Sequence, residues 1–500
     1  MLIIPVNTSI FEKKIKFRLL SMIRNPISSG GASGLIVVLL FLIFPGKVKA
    51  SFQLPANSNG SVFVRQIDIE GNRRTRSSII LREMAIKNGD TLAIAELRDK
   101  LEVDRRKIGN LNLFITVDME TGFSQDSTTV DIKILVKERW FFIAFPVFEI
   151  ADRNFNEWWY DRNRDFKRVV YGGYVSYRNV TGRADRLVLS VEMGFTPRYG
   201  ISYSLPYIDK AMKTGVSAGF SYATHKTMPY RTWNDKLDYL ASDSLNKRRS
   251  IIFVNITRRN RFYTFHSVDL RWSRTQLSDT IALLNPKYLK DGKKLQNYLQ
   301  LTATYNYDKR DNVQYPLRGK QYGAQVSKQG VLPSDDINLF YSYGHFKYFA
   351  HLGGPWFAST SARAKISFFR QQPYLQTVGL GYRLDLVRGY DLYVIDGQSY
   401  ALLQNDLKFR LFDIRKHFSW IPIGQFNTIP MAAYLTTYAD AGYVKNYSPE
   451  LSNSKLGNKL LGGAGAGLDF ATFYNIVLRG LYAFNVEGEG KFFFRIAREF

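Results

Sequence analysis

The chain of 500 residues contains no cysteine. That excludes disulfides, thiolate metal sites, a thiol nucleophile and a lipid-modified N-terminal cysteine. It also lacks any apolar run approaching the roughly 20 residues that a membrane-spanning helix needs. Its five histidines, His225, His266, His345, His351 and His417, are scattered without ligand spacing, so neither a metal site nor a cofactor is expected. Signals for catalysis are equally thin. There is no G-x-S-x-G elbow, and Gly462–Gly467 lacks the G-x-G-x-x-G spacing of a dinucleotide loop. No enzyme activity is expected. Acid is scarce too, with 43 Asp+Glu against 69 Lys+Arg and a formal charge of +26. The basic residues run along the whole chain and do not gather in one helix or arm. This reads as a basic lumen and rim facing anionic lipid or polymer, with no nucleic-acid partner.

What the chain has in quantity is aromatic side chains, 15% of all residues, with 31 Tyr and 36 Phe. Mean hydropathy is nevertheless slightly negative. A transmembrane β-barrel combines these two properties, because alternation hides its apolar face and aromatics gather at both interfaces. At the N-terminus a basic flank (Lys13, Lys14, Lys16, Arg18) precedes the ten apolar residues Leu35–Phe44 and then Val48-Lys49-Ala50. Ten is too short to span a bilayer and suits the core of a secretory signal. Residues 1–50 are therefore expected to be a removed signal peptide, with a short membrane anchor as the alternative.

Residues 61–138 read as a small α+β module. Phe63–Ile69 alternates and stops at Gly71, as a strand and turn would. Thr75 is placed to cap a short helix carrying Ile79, Ile80 and Met84. Leu92, Ala95, Leu97, Leu101, Ile108 and Leu111 recur at near-helical spacing, and two alternating runs follow, Phe114–Glu120 and Val130–Lys137. The resulting β-α-α-β-β order resembles a POTRA (polypeptide-transport-associated) domain. From residue 140 to 500 the period is two. Tyr298–Asp308 shows it best, with Leu299, Leu301, Ala303, Tyr305 and Tyr307 on one face. Such segments run nearer ten residues than the five or six usual in soluble sandwiches. About sixteen can be placed, predicting a mainly β chain: an antiparallel transmembrane barrel of about sixteen strands after the small α+β domain. Connection lengths agree, since one alternate set is tight (Asn179–Arg183, Asn260–Arg261, His351–Pro355, Ala471–Phe473). The other set is mostly long (Arg153–Lys167, Thr224–Lys247, Thr275–Lys294, Gln371–Ser399, Gly442–Lys459), as on the outer side of such barrels.

Four short motifs lie on this frame. They are Asp308-Lys309-Arg310-Asp311-Asn312 with Tyr315-Pro316-Leu317-Arg318-Gly319, then Val387-Arg388-Gly389-Tyr390, then Tyr438-Ala439-Asp440-Ala441-Gly442, and finally Gly463–Gly467. In this order and spacing they resemble the BamA/TamA superfamily of outer-membrane assembly and translocation barrels, the bacterial surface antigen type. The resemblance implies that the loop carrying Val387, Arg388, Gly389 and Tyr390 folds back into the lumen, and that Arg388 is held there by Asp440. A bare arginine away from water would be costly; a solvated loop charge is the plain alternative. The acidic and basic residues Asp308, Arg310 and Asp311, with Pro316 and Gly319, read as an ion network anchoring a turn. Small residues at Gly463–Gly467 read as easing barrel curvature. The last strand places Phe492, Phe494, Ile496 and Phe500 on one face, similar to the C-terminal signal of outer-membrane barrels.

The resemblance further implies a bacterial outer membrane location with the POTRA-like domain in the periplasm. The implied task is insertion or translocation of polypeptides, with substrate handed over at a weak seam between the first strand (about Trp140–Ile150) and the last (Lys491–Phe500). Expected partners are unfolded outer-membrane or secreted polypeptides, the lipid bilayer or lipopolysaccharide, and periplasmic or lipoprotein subunits. A dedicated two-partner-type secretion pore and a surface binding barrel without transport are the alternatives.

Overall fold

A computed structural model describes residues 60–500, except 153, 210, 212, 314, 383–384, 421–426, 473–475 and 499–500; for 496–498 only the backbone is described. The signal reading on residues 1–50 lies outside them, as does Phe500.

The N-terminal module contains β1 (Ser61–Glu70), α1 (Ser77–Leu81), β2 (Thr91–Ala93), α2 (Ile94–Gly109), β3 (Phe114–Phe123) and β4 (Thr129–Glu138). Its sheet has the order β2-β1-β4-β3, with β1 and β4 parallel. In α2 the buried residues Ile94, Leu97, Leu101 and Ile108 form one stripe that packs on the buried face of the sheet. Asp104 lies on that stripe, where its carboxylate accepts the main-chain N–H groups of Ala85 and Ile86. Two details differ from the sequence expectation. The short strand β2 separates the helices, since three residues are too few to show a period. The N-cap of α1 is Arg76, with no side-chain cap. Thr75 is buried and its hydroxyl accepts a hydrogen bond from Asn179 of the later chain.

Sixteen antiparallel strands follow in one sheet. They are β5 (Phe142–Ile150), β6 (Val169–Arg178), β7 (Arg186–Gly194), β8 (Arg198–Leu205) and β9 (Thr214–His225), then, past an outer hairpin of β10 (Met228–Trp233) and β11 (Lys236–Leu240), β12 (Lys247–Arg261). The series continues with β13 (Thr264–Leu277), β14 (Leu295–Arg310), β15 (Gly319–Gln329), β16 (Leu339–Gly353), β17 (Trp356–Ser367) and β18 (Ser399–His417). It ends with β19 (Thr428–Lys445), β20 (Leu460–Thr472), β21 (Ile476–Asn485) and β22 (Gly490–Arg498). Alternation sorts the faces as a membrane barrel requires. Val191, Ile201, Ile252, Val254, Leu270, Leu301, Leu435 and Leu468 stand exposed on the outside, whereas Thr302, Lys408, Thr436, Asp440 and Asp469 are buried within. The sheet curls round this interior, and Tyr315, between β14 and β15, donates its hydroxyl to Asp469 of β20 at 2.8 Å.

The tight connections and the N-terminal module share one end. There the module docks on three turns. Glu83 receives both terminal nitrogens of Arg259, at 2.5 and 2.8 Å. The Arg82 guanidinium lies 3.8 Å over the Tyr207 ring, and Arg76 N–H donates to the Gly182 carbonyl. Among the described residues no ladder joins β5 to β22, the two ends of the sixteen-strand order.

Candidate functional site: the lumenal loop and the last strand

The segment between β17 and β18 turns back into the interior. Its apolar residues Leu380, Val387, Tyr390 and Ile395 pack with Tyr400 and Leu402 of β18 and Val444 of β19 in one buried cluster. Within it, Arg388 meets the barrel wall through nearly its whole donor set. Its main-chain N–H and Nε both donate to Asp440 Oδ2, at 3.0 and 2.7 Å, and Nη2 donates to Asp440 Oδ1 at 2.5 Å. Nη1 reaches Asp406 Oδ1 at 2.5 Å, and Nη2 also donates to the Asn405 carbonyl. The guanidinium lies 4.0 Å over the ring of Tyr438. The fork thus faces two carboxylates and one aromatic plane, a geometry that a lysine cannot reproduce.

The strand period accounts for this arrangement. Tyr438, Asp440 and Gly442 of β19 all point inward, as do Gln404, Asp406 and Lys408 of β18. Asp406 sits opposite Tyr438 in the ladder, so two adjacent strands present their acids to one guanidinium. Asp406 carries no local sequence signal; only the register of β18 on β19 reveals it. Glycines let the loop come this close. A Cβ on Gly463 would lie 1.9 Å from the Arg388 carbonyl oxygen, and one on Gly442 would lie 2.5 Å from Val387. Contact with the loop therefore gives a local reason for Gly463, beyond the curvature expected from the sequence. Gly389 has φ of +101°, which glycine adopts without strain.

The residue after the motif ties the loop to the chain end. Asp391, buried, accepts Arg495 of β22 through Nε at 3.1 Å and Nη2 at 2.5 Å. Asn485 at the end of β21 donates to the Gly389 carbonyl, and Tyr393 donates to Glu489 in the last outer turn at 2.7 Å. Neither Asp391 nor Arg495 was distinguishable in the sequence from ordinary surface charges.

The other candidate residues lie elsewhere. Asp308 holds Arg310 by two hydrogen bonds, at 2.8 and 2.6 Å, and Arg310 also donates to the Val313 carbonyl. Asp311 receives the N–H groups of Asn312 and Leu317. Together these close the turn that contains Pro316 and returns at Gly319, whose φ is +104°. This clasp is separate from Arg388, but Tyr315 projects from it to Asp469, with the Lys408 ammonium 4.3 Å over its ring. At the chain end Phe492 is exposed, Phe493 is buried, and Phe494 is half-buried against Phe155. Ile496 lies on β22 with only its backbone described.

A sixteen-stranded barrel with an apolar outer belt, a charged interior plugged by its own loop and a small α+β domain at the tight-turn end defines an outer-membrane barrel with a periplasmic domain. Comparison with known proteins gives the family. Residues 179–401 match the Omp85 superfamily domain, and residues 62–139 match the POTRA family, described as the surface antigen variable number repeat. These two matches support a BamA/TamA-type barrel of the Omp85 superfamily, in the outer membrane with a POTRA domain in the periplasm.

Among curated proteins it is similar to the outer membrane protein assembly factor BamA of Nitratidesulfovibrio vulgaris, 36% identical over 78 residues. That stretch is 16% of this chain and 9% of the relative's length. Among solved structures it resembles CdiB from Escherichia coli, with a TM-score of 0.54 at 12% identity, covering 87% of this chain and 76% of the other. It also resembles BamA from Haemophilus ducreyi lacking POTRA domains 1–3, with a TM-score of 0.50 at 15% identity, covering 87% and 84%. At these identities the two structures speak for the fold.

Proposed function

We propose that the protein assists the insertion or translocation of polypeptides at the outer membrane and hands its substrate over at the edge of its last strand, without breaking a covalent bond. The observation that carries this reading is the sheet order, which ends at β5 and β22 with no ladder between them among the described residues. A strand edge offers main-chain donors and acceptors that an incoming strand of almost any sequence can use, which suits a machine with varied substrates. The lumen supports the same route. Val387, Tyr390, Val394 and Ile395 are all at most 2% exposed, so passage through the centre would first require a packed, ion-paired loop to leave. The POTRA sheet offers a second edge, at β3, for an unfolded chain or a periplasmic partner.

The test is reconstitution. Liposomes containing the protein are given a urea-unfolded outer-membrane barrel chain, and its folding is followed by protease protection. The expected result is faster folding than in liposomes without the protein. An unchanged folding rate, together with release of a soluble polypeptide across the same membrane, would assign a secretion pore instead.

A further inference from the structure

The outer end of β22 carries a cap that comes from the other end of the sheet. The loop between β5 and β6 contains a short helix, α3 (Phe155–Asp161), which lies against the strand. Asn156 Oδ1 accepts the main-chain N–H of Phe494 at 3.2 Å, and its Nδ2 reaches the Phe494 carbonyl at 3.5 Å. One side-chain amide thus reproduces the reciprocal pair of bonds that a neighbouring strand would make. Two residues along the same edge, the Tyr160 hydroxyl donates to the Phe492 carbonyl at 3.3 Å. The Phe155 ring meets the Phe494 ring edge-on, and the Lys491 ammonium lies over the Tyr160 ring. These main-chain groups are the ones an added strand would need.

The helix is seated from behind. Asn154 caps it, accepting the N–H of Glu157, and uses its own amide to donate to the Asp391 carbonyl at 3.0 Å. Arg162 pairs with Glu157, and Arg168 pairs with Asp152 through three hydrogen bonds. Asn156 itself is 2% exposed. The aromatic residues Phe155, Trp159 and Tyr160, by contrast, are exposed, the first and last of them while touching β22. A seven-residue helix has little stability of its own. Once its contacts to β22 are lost, it is held by this seat, by buried Trp158, which donates to the Asp165 carbonyl, and by the β10–β11 hairpin, where Lys236 pairs with Asp161 and Arg162 donates to the Leu237 carbonyl.

We propose that α3 is an autoinhibitory latch. In the resting protein it occupies the outer part of the β22 edge, and it must swing away before an incoming strand pairs there. This rests on the handover reading above. Because Asn154 and Arg495 both bind Asp391, opening the latch also loosens the segment next to Arg388, linking edge exposure to the lumenal loop.

The absence of native cysteine makes a clean test available. A fluorescent peptide with the sequence of residues 142–150, a strand from the far end of the same sheet, is titrated onto the full-length protein in lipid nanodiscs. The forms compared are wild type, Asn156→Ala, Tyr160→Phe and the double variant Asn156→Cys with Phe494→Cys, oxidised and reduced. Heat-shifted gel mobility confirms that each barrel is folded. Removing the Asn156 bonds should tighten peptide binding about three- to tenfold, and the reduced double variant should behave alike. Tyr160→Phe should give a smaller gain. Oxidation should abolish binding, and reduction should restore it. Peptide binding that is the same in wild type, Asn156→Ala and the oxidised variant would overturn the latch while leaving the strand-edge reading intact. Peptide binding in none of the folded forms would overturn the edge reading and the latch with it.

Discussion

At the residue scale, one guanidinium away from bulk water anchors the lumenal loop. Arg388 is matched by Asp440 and Asp406, and removing one member of a buried pair leaves the others uncompensated. Arg388→Ala should therefore cost about 3–5 kcal/mol in anchoring the loop, read as an earlier transition in heat-modifiable gel mobility, with lowered activity in a barrel that still assembles. Arg388→Lys should not restore it, since one ammonium cannot span both carboxylates. Unchanged melting and activity in Arg388→Ala would contradict the anchoring role. A steric test is independent of charge. Gly463→Ala forces a Cβ to 1.9 Å from the Arg388 carbonyl oxygen and should lower the transition, whereas Gly173→Ala, with nothing within 4 Å of its Cβ, should leave it unchanged. Asp440 is legible through its motif, but Asp406, Asp391 and Arg495 acquire meaning only from strand register and the path of a long loop, which no local pattern encodes.

At the scale of elements, regular alternation made the strands legible, and polarity made the long outer loops legible as loops. What those loops fold into was not readable, because their residues pack on partners from other strands and loops, such as Asp406 and Asp440 for Arg388 and Phe494 for Asn156. The lumenal loop also holds Asp396, which accepts the Tyr382 hydroxyl of the same loop at 2.5 Å in a nearly closed site. Burial pushes its carboxyl up to about 6, against the hydrogen bonds of Tyr382 and Thr232, which favour its charged form. The folded loop thus holds this proton more tightly than the open chain does. Its contribution, at most about 3 kcal/mol, is fully present below about pH 4 and lost as pH rises through about 6. Hydrogen exchange of residues 374–398 should accordingly become faster between pH 4 and 6, after correction for intrinsic rates. Asp396→Asn should flatten that dependence; a variant with the same slope as wild type would remove Asp396 as its source.

At the scale of the whole molecule, the POTRA domain and the barrel are joined by a bidentate ion pair, Glu83 with Arg259, inside a contact that also includes Arg82 on Tyr207. Glu83→Arg should free the domain and speed its release by limited proteolysis between residues 138 and 142. Adding Arg259→Glu should slow it again, and failure of the swap to do so would show that the pair does not set the docking. Under the proposed function, substrate meets the barrel at its strand edge and not along its wall or through its lumen. The most direct measurement places a photoreactive side chain, in separate variants, at Phe148 of β5, at Phe492 of β22, at Ala303 in the middle of the outer wall and at Gln404 inside. Each is illuminated in living cells during a pulse of protein synthesis. Crosslinks to newly made outer-membrane polypeptides at 148 and 492, with none at 303 or 404, are the result expected. Crosslinks confined to 404, or to a single secreted partner, would contradict it.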